Sequence, residues 1–316
     1  MTAPVHGAGA LHRRIFARIL LTAVPSAIVA GYVIAPGLGL GSDMYGDTLP
    51  WLVAAGIGAA SGVQWAVSGA LVRAALAARS GDAPGARLAR ILELPRRIEL
   101  YSNTSGWLAG GLVFGLAAVV WHGVPATTAL AAAGLALFAS LFPGLVLVML
   151  VEDVLRPAAV EEAGRGSRAA TRGGFFWPRQ RWYLPYAFAV ALVSLLVFSA
   201  FVLLSRYRVA VGRLVSEAGA RDGALAAEAL RESLEAQARA TATPVVAIAL
   251  VLLVAFAVTG VLLARRQARA VGAVEASLRS MAAGAPELPG WASTDELGDL
   301  AAATADIALE MRRAFD

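Results

Sequence analysis

Six long apolar stretches constrain the fold of this chain more than any other feature of its sequence. A helix that crosses a lipid bilayer needs about twenty mainly apolar residues. Stretches of that kind lie at residues 19–40, 51–77, 104–121, 126–151, 183–205 and 244–264. The sequence therefore predicts an all-α integral membrane protein whose six transmembrane helices form three hairpins.

The composition supports this class and excludes several others. Of the 316 residues, 58% are hydrophobic and only 16% are charged, which is too apolar for an ordinary soluble domain. The absence of cysteine excludes disulfides and thiol chemistry. Every basic residue is an arginine, and with the abundance of alanine and glycine this indicates a GC-rich bacterial genome. No basic stripe is interleaved with exposed aromatic residues, so nucleic-acid binding is not expected.

Arginine clusters set the expected orientation of the six helices. Arg13, Arg14 and Arg18 precede the first span, and more arginines follow the second and fourth spans, whereas the loops after the first and third spans have none. Arginine and lysine concentrate on the cytoplasmic side of membrane proteins. The pattern predicts a multi-pass protein of the bacterial inner membrane with both termini in the cytoplasm and residues 1–18 as a cytoplasmic tail.

Residues 206–243 fit this orientation less well. Six spans place them outside the cell, yet they contain six arginines. Residues 224–240 are alanine-rich, which favours a helix, and Glu228 and Arg231 have the spacing of a stabilising pair. We interpret the segment as an outer helical connection, favouring a solvated link over a small ligand-sensing hairpin.

Heptad spacing follows the last span. Apolar positions recur at alternating steps of three and four residues, which keeps a narrow apolar seam on one side of a helix. The first seam consists of Val271, Val274, Leu278 and Met281, and the second seam of Leu297, Leu300, Thr304, Ile307 and Met311. Between them, Gly284 is expected to end the first helix, and the following prolines prevent its continuation. Thr294 is the expected N-cap of the second helix.

Residues 265–316 resemble a HAMP domain, the helix–connector–helix unit behind the last transmembrane helix of many bacterial receptors. The acidic-acidic-apolar-glycine run at Asp295, Glu296, Leu297 and Gly298 matches the start of that family's second helix, and Gly284 matches the glycine that closes its first helix. The resemblance implies a homodimer in which the two seams form a cytoplasmic four-helix bundle. It also implies that Asp295 and Glu296 cap and register the second helix.

Two positions depart from the family pattern. Ala270 stands where the first helix usually begins with proline, and the connector is slightly short. The alternative interpretation of this region is an amphipathic tail that lies on the inner membrane surface. Glu152, Asp153 and Arg156, which follow the fourth span, are expected to form a solvated charged face, with contact to the HAMP-like helices left open.

The complete layout resembles the membrane anchors of bacterial class III adenylate cyclases and of sensor histidine kinases. This resemblance implies a receptor or sensor that acts in signal transduction. In those families a catalytic output domain follows at the point where this sequence reaches Asp316. We therefore expect either an output domain beyond that residue or a relay that acts on a separate partner protein.

Glycines predict close contacts between helices within the membrane. Small residues four positions apart allow helix backbones to approach in lipid, where close packing drives association. One such pair lies in the second span and two overlapping pairs lie in the third, at Gly58 and Gly62 and at Gly106, Gly110, Gly111 and Gly115. These residues predict packing between helices and no chemistry.

Few residues in the predicted spans could carry chemistry. No ionisable residue lies in the middle of a span, and Gln64, the most deeply placed strong hydrogen-bonding side chain, is interpreted as a link between helices. His6, His12 and His122 lack metal-ligand spacing, and the first two are placed in the mobile N-terminal tail. Residues 37–41 are glycine-rich but follow no strand, so they are expected to form a turn. We predict no catalytic, cofactor or metal site, and hence no enzyme.

Two other functions remain as alternatives at this point. The chain could be a small-molecule permease or channel subunit, although such proteins usually place a charged side chain at membrane depth. It could also be an accessory subunit that scaffolds a larger membrane complex. Both alternatives keep the six membrane helices and differ from the signalling hypothesis in what the C-terminal helices do.

Overall fold

The computed structural model describes residues 7–38, 40, 46–77, 85–164, 180–218 and 223–315. Within these residues the chain is helical and contains no strand, so the predicted all-α class is confirmed. A 3-10 turn, Ala35–Leu38, follows the first helix, and a π-helical segment, Ile98–Asn103, joins the third to the fourth. The helices are α1 (Ala8–Ile34), α2 (Leu49–Leu76), α3 (Ala86–Arg97), α4 (Thr104–His122), α5 (Thr127–Gly164), α6 (Gln180–Ala218), α7 (Gly223–Ala282) and α8 (Glu296–Phe315).

Six of the described helices are long and apolar enough to cross a membrane. They are α1, α2, the continuous run of α3 and α4, α5, the Pro185–Leu204 part of α6 and the part of α7 from Ile248 onward. This indicates a multi-pass membrane protein. His6 and parts of the glycine-rich 37–41 turn, residues 39 and 41, lie outside the described residues.

The first helix begins earlier than predicted. It starts at Ala8, so the described part of the segment expected to be a cytoplasmic tail is helical. Leu11, Ile15 and Ile19 recur every four residues and are buried at 2%, 0% and 0% exposure, while the neighbouring arginines point outward. His12 was placed in a mobile tail, and that placement is wrong, because its side chain is buried in α1 against α2. The apolar face of α1 simply continues through the arginine cluster.

Helices α1, α2, α4 and α5 pack into one bundle, and α6 and α7 run beside it as a pair. The amphipathic α3 buries Leu88, Ile91 and Leu94 against α5 and the start of α1. The beginning of α1 and the connector before α8 lie at the same end of the bundle, since Ala292 packs on the apolar cluster that contains Leu11. We call this end the α8 end.

Glycines bring three helices of the bundle together. A Cβ on Gly110 of α4 would lie 2.8 Å from the carbonyl oxygen of Gly56 in α2, and one on Gly115 would lie 2.5 Å from the Cα of Ala129 in α5. Gly106 faces α2 and Gly111 faces α5 in the same way. Gly58 and Gly62 make no such approach within the chain, because no described atom beyond their own stretch of helix lies within 4 Å of a Cβ on either, so their packing stays a prediction. Gly56, which the spacing argument did not select, makes the approach instead.

The segment predicted as an outer connection has helical backbone at residues 206–218 and 223–243, as its composition predicts. It continues α6 and α7 past the end of the bundle opposite the α8 end, because Tyr183 packs near Met149 and Val202 packs near Ile34. The Glu228 and Arg231 side chains of the predicted pair lie outside the description.

Candidate functional site

The best-defined polar site lies at the α8 end, where α5, α7 and the start of α8 meet. Helix α7 ends at Ala282, and Gly284 follows with φ of +76°, a conformation that glycine adopts without strain. The Gly284 N–H donates to the Met281 carbonyl and the Ala285 N–H to the Ser280 carbonyl, both at 3.0 Å. This is a Schellman motif, and it ends the helix at the position that Gly284 predicts.

Hydrogen bonds from both helices hold the connector between α7 and α8. The Ser277 hydroxyl donates to the Glu287 carbonyl, and the Glu287 N–H donates to the Ser280 hydroxyl at 2.9 Å. From the far end of α8, the Arg312 guanidinium donates to the Pro286 carbonyl at 2.6 Å. The connector is therefore fixed against α7 and α8 together.

Asp295 is the N-cap of α8, and the prediction of Thr294 for this role is wrong. The Gly298 N–H donates to Asp295 Oδ1 at 3.1 Å, the usual bond from the third helical residue to a cap. The Thr294 hydroxyl instead accepts a 2.6 Å hydrogen bond from Arg96 of α3. A Cβ on Gly298 would lie 2.0 Å from the Ser293 carbonyl oxygen, so this position has no room for a side chain.

A buried arginine joins three elements at this site. Arg266 of α7 is only 7% exposed. Its Nη1 lies 2.6 Å from Asp295 Oδ2, and its Nη2 lies 2.8 Å from Glu152 Oε2 of α5. The expectation of a solvated face at Glu152 is therefore wrong. Removing one partner of a buried pair typically costs about 3–5 kcal/mol, so these contacts fix the position of α7 relative to α5 and α8.

Trp291 covers the buried pairs from the connector. Its ring is 5% exposed, and the guanidinium carbon of Arg156 lies 4.2 Å from the ring centroid, within the range of a cation–π contact. Trp291 Nε1 donates to the Ser293 hydroxyl at 3.0 Å, and that hydroxyl donates to Asp295 Oδ1 at 2.5 Å. Nearer the surface, Arg269 of α7 pairs with Asp153 of α5 at 3.0 Å. We call Glu152, Arg156, Arg266, Trp291 and Asp295 the junction cluster.

The electrostatics of the junction cluster favour a charged Asp295. Burial alone would raise the pKa of this carboxyl group. The Arg266 guanidinium and the hydrogen bonds donated by Ser293, Arg266 and Gly298 outweigh burial and hold the pKa of Asp295 below its ordinary value. Asp295 is therefore ionised throughout the physiological range and carries the negative charge that the pair with Arg266 needs.

The seam residues fall into three groups by their exposure in the single chain. Val274, Met281 and Thr304 are buried at 7%, 6% and 4% exposure, and Ala270 and Ala301 complete the contact between α7 and α8. Leu297, Met311 and Glu296 are partly buried. Four seam residues remain about half exposed, and they form what we call the apolar stripe: Val271, Leu278, Leu300 and Ile307.

A second polar layer lies deeper in the bundle, at the π-helical segment. One extra residue per turn changes which side chains a helix buries, and here Ser102 and Asn103 are both buried. The Ser102 hydroxyl donates to the Gln64 carbonyl at 3.0 Å, and Trp107 Nε1 donates to Asn103 Oδ1 at 3.1 Å. Gln64 Nε2 donates to the same Asn103 oxygen at 3.4 Å. Gln64 thus links helices, as the sequence predicts.

The described residues contain no group of three histidine, aspartate or glutamate side chains that could hold a metal ion. Comparisons with protein-family models, with curated proteins and with solved structures give no match for this chain. A functional interpretation consequently depends on the residues and contacts described above.

Proposed function

We propose that this chain is a transmembrane signal-transduction module of the bacterial inner membrane. In this proposal α7 carries a conformational change from the membrane helices into a dimeric, HAMP-like unit in the cytoplasm. The supporting observation is that α7 belongs to both parts. It packs on α5 and α6 within the apolar bundle, and the same helix packs on α8 beyond it.

The stiffness of α7 suits it to this role. Residues 245–282 form one helical stretch without proline, which spans roughly 57 Å at 1.5 Å per residue. A helix of this kind transmits a shift or rotation at one end to the other end. It does not absorb the movement at a proline kink.

The junction cluster supplies the discrete contacts that a switch needs. Any rotation or sliding of α7 moves Arg266 relative to Glu152 and Asp295. A movement that separates the charged groups breaks these ion pairs or replaces them with others. Signalling elements of this type alternate between two packings that differ by a few kcal/mol. A signal that displaces α7 then changes the packing of α8.

The apolar stripe supports the dimeric part of the proposal. Its members are separated by seven residues on each helix, Val271 and Leu278 on α7 and Leu300 and Ile307 on α8. Seven residues are two turns of a coiled coil. A second copy that presents the same stripe would bury these side chains in a parallel four-helix bundle. The proposed output is a nucleotide cyclase or histidine kinase domain, either after α8 or on a partner protein.

Cysteine cross-linking of the full chain tests the dimer. The sequence has no cysteine, so Leu278→Cys introduces one thiol per copy. We expect disulfide-linked dimers when membranes that contain this variant are mildly oxidised. Ala276→Cys is the control, because Ala276 is exposed on α7 and about 200° around the helix from Leu278. It should cross-link several-fold less, and equal yields, or no dimer with Leu278→Cys, would contradict the proposal.

A further inference from the structure

A cavity of about 210 Å³ lies between α1 and α5 on one side and α6 and α7 on the other. Its walls include Pro143, Ser194 and Ala255, and all other lining side chains are apolar except Ser26. Apolar cavities of about 150 Å³ already accept a benzene-sized molecule. This cavity is therefore large enough for a ring or a short stretch of alkyl chain.

Ser194 is a polar residue in the largely apolar wall of the cavity. Its side chain is 2% exposed, and its hydroxyl has no hydrogen-bond partner among the described residues. Ser194 lies near the middle of the apolar Pro185–Leu204 stretch, where no bulk water can serve it. A buried hydroxyl without a partner is unfavourable, so a molecule in the cavity that offers a hydrogen bond to Ser194 gains binding energy from it.

The wall opposite Ser194 contains a second polar feature. Pro143 has no N–H and cannot donate to the Ala139 carbonyl one turn earlier, as an ordinary residue in a helix would. Both residues line the cavity. The Ala139 carbonyl oxygen consequently lacks its usual donor and can accept a hydrogen bond from a bound hydroxyl group.

The rim of the cavity determines how a molecule reaches it. Val29, Phe138 and Val251 line the cavity and are 41%, 39% and 44% exposed on the apolar surface of the bundle. No charged side chain lines the cavity. An occupant therefore enters sideways from the lipid, and it carries no charge, since an ion at this depth would have no partner.

We infer that this cavity binds an uncharged, lipid-soluble molecule, an apolar chain or ring with one hydroxyl group that hydrogen-bonds to Ser194. Its regulatory consequence depends on the proposed signalling function. The cavity separates the bundle from the α6–α7 pair, so an occupant acts as a wedge against α7, through Val251 and Ala255. The binding event itself needs neither a dimer nor an output domain.

Photolabelling of the full chain in phosphatidylcholine nanodiscs tests this inference. The probe is a decanol that carries a diazirine, and labelled residues are mapped by mass spectrometry. We expect labelling in α5 near Phe138 and in α7 near Val251. At equal membrane concentrations, 1-decanol should compete about fivefold better than decane, the difference that one hydrogen bond makes. Ser194→Ala should remove that preference without removing the labelling.

A steric variant and its control keep the test independent of folding defects. Ala255→Trp fills the cavity and should abolish the labelling, whereas Leu250→Trp, at an exposed position on the same helix, should retain it. Labelling spread evenly over exposed residues such as Leu116 and Val120 would show bulk lipid only and overturn the inference. Equal competition by decane and decanol would also overturn it. Neither result affects cross-linking at Leu278, so this inference and the proposed function fail separately.

Discussion

Asp295 uses the two oxygens of one carboxylate for two different tasks. Oδ1 accepts the Gly298 N–H and the Ser293 hydroxyl, which starts α8, while Oδ2 pairs with Arg266 of α7. The direction of α8 is therefore tied to the position of α7 through a single side chain. Gly298 makes the arrangement possible, because its missing side chain lets the Ser293 carbonyl approach the first turn of α8.

The close approach at Gly298 leads to a prediction for a single methyl group. Gly298→Ala places a Cβ against the Ser293 carbonyl and should destabilise the docking of α8 by about 1–3 kcal/mol, the usual cost of overpacking. Hydrogen exchange of the α8 amides measures this as faster exchange. Gly272→Ala is the matched control, because no described atom beyond its own stretch of helix lies within 4 Å of a Cβ there. It should leave exchange in α8 unchanged, and equal effects of the two variants would refute the explanation.

The sequence predicts some of the residues at this site and not others. Thr294 and the acidic residues after it marked the start of a helix, because capping depends on neighbours in the sequence, although the cap itself is Asp295, one residue later than predicted. Arg266 and Trp291 were not selected. Arg266 is one of several arginines near the end of the last span, and nothing local distinguishes it from Arg265 or Arg269. Its burial results from a contact with Glu152, more than a hundred residues away, which periodicity does not report.

Among the helices, α1 and α7 each extend beyond their apolar membrane-spanning stretch as an amphipathic helix at the α8 end. In α7 the buried positions Arg266, Ala270, Val274 and Met281 keep one face against α8 after the apolar stretch ends. In α1 the buried face begins before the span, at Leu11 and Ile15. Hydropathy located the spans, because it averages over a window, but it missed amphipathic continuations in which arginines dilute the apolar signal.

The early start of α1 predicts a structural role for residues that precede the apolar stretch. Ile15 is fully buried in a cluster with Val72 and Ile91, so Ile15→Ala should lower stability by about 2–5 kcal/mol. Thermal unfolding of the purified protein in detergent measures the loss as a lower midpoint. Ala17→Ser, at an exposed position of the same turn, should have little effect. An unchanged midpoint for Ile15→Ala would show that this part of α1 does not pack as described.

At the scale of the whole molecule, the arginine content of residues 206–243 and the number of membrane crossings point to opposite sides of the membrane for this segment. Arginine content favours the cytoplasm for this segment. The described helices place the start of α1 and all of α8 at one end of the bundle, while residues 206–218 continue α6 beyond the other end. Six crossings require the two ends to lie on opposite sides of the membrane. We give the helix count more weight, because leaving the apolar part of α6 or α7 in water costs far more than an unusual loop charge.

Thiol accessibility in intact cells therefore has a definite expected result. A cysteine at Glu228, in the helical backbone beyond the far end, should react with a membrane-impermeant maleimide added outside the cells. A cysteine at Ala302, exposed on α8, should react only after the inner membrane is permeabilised. The cysteine-free parent measures background labelling. Labelling of Ala302→Cys from outside would place α8 away from any cytoplasmic output and remove the proposed function. Protection of both sites would instead require an even number of crossings before residue 228, and not the five that the six-span arrangement gives.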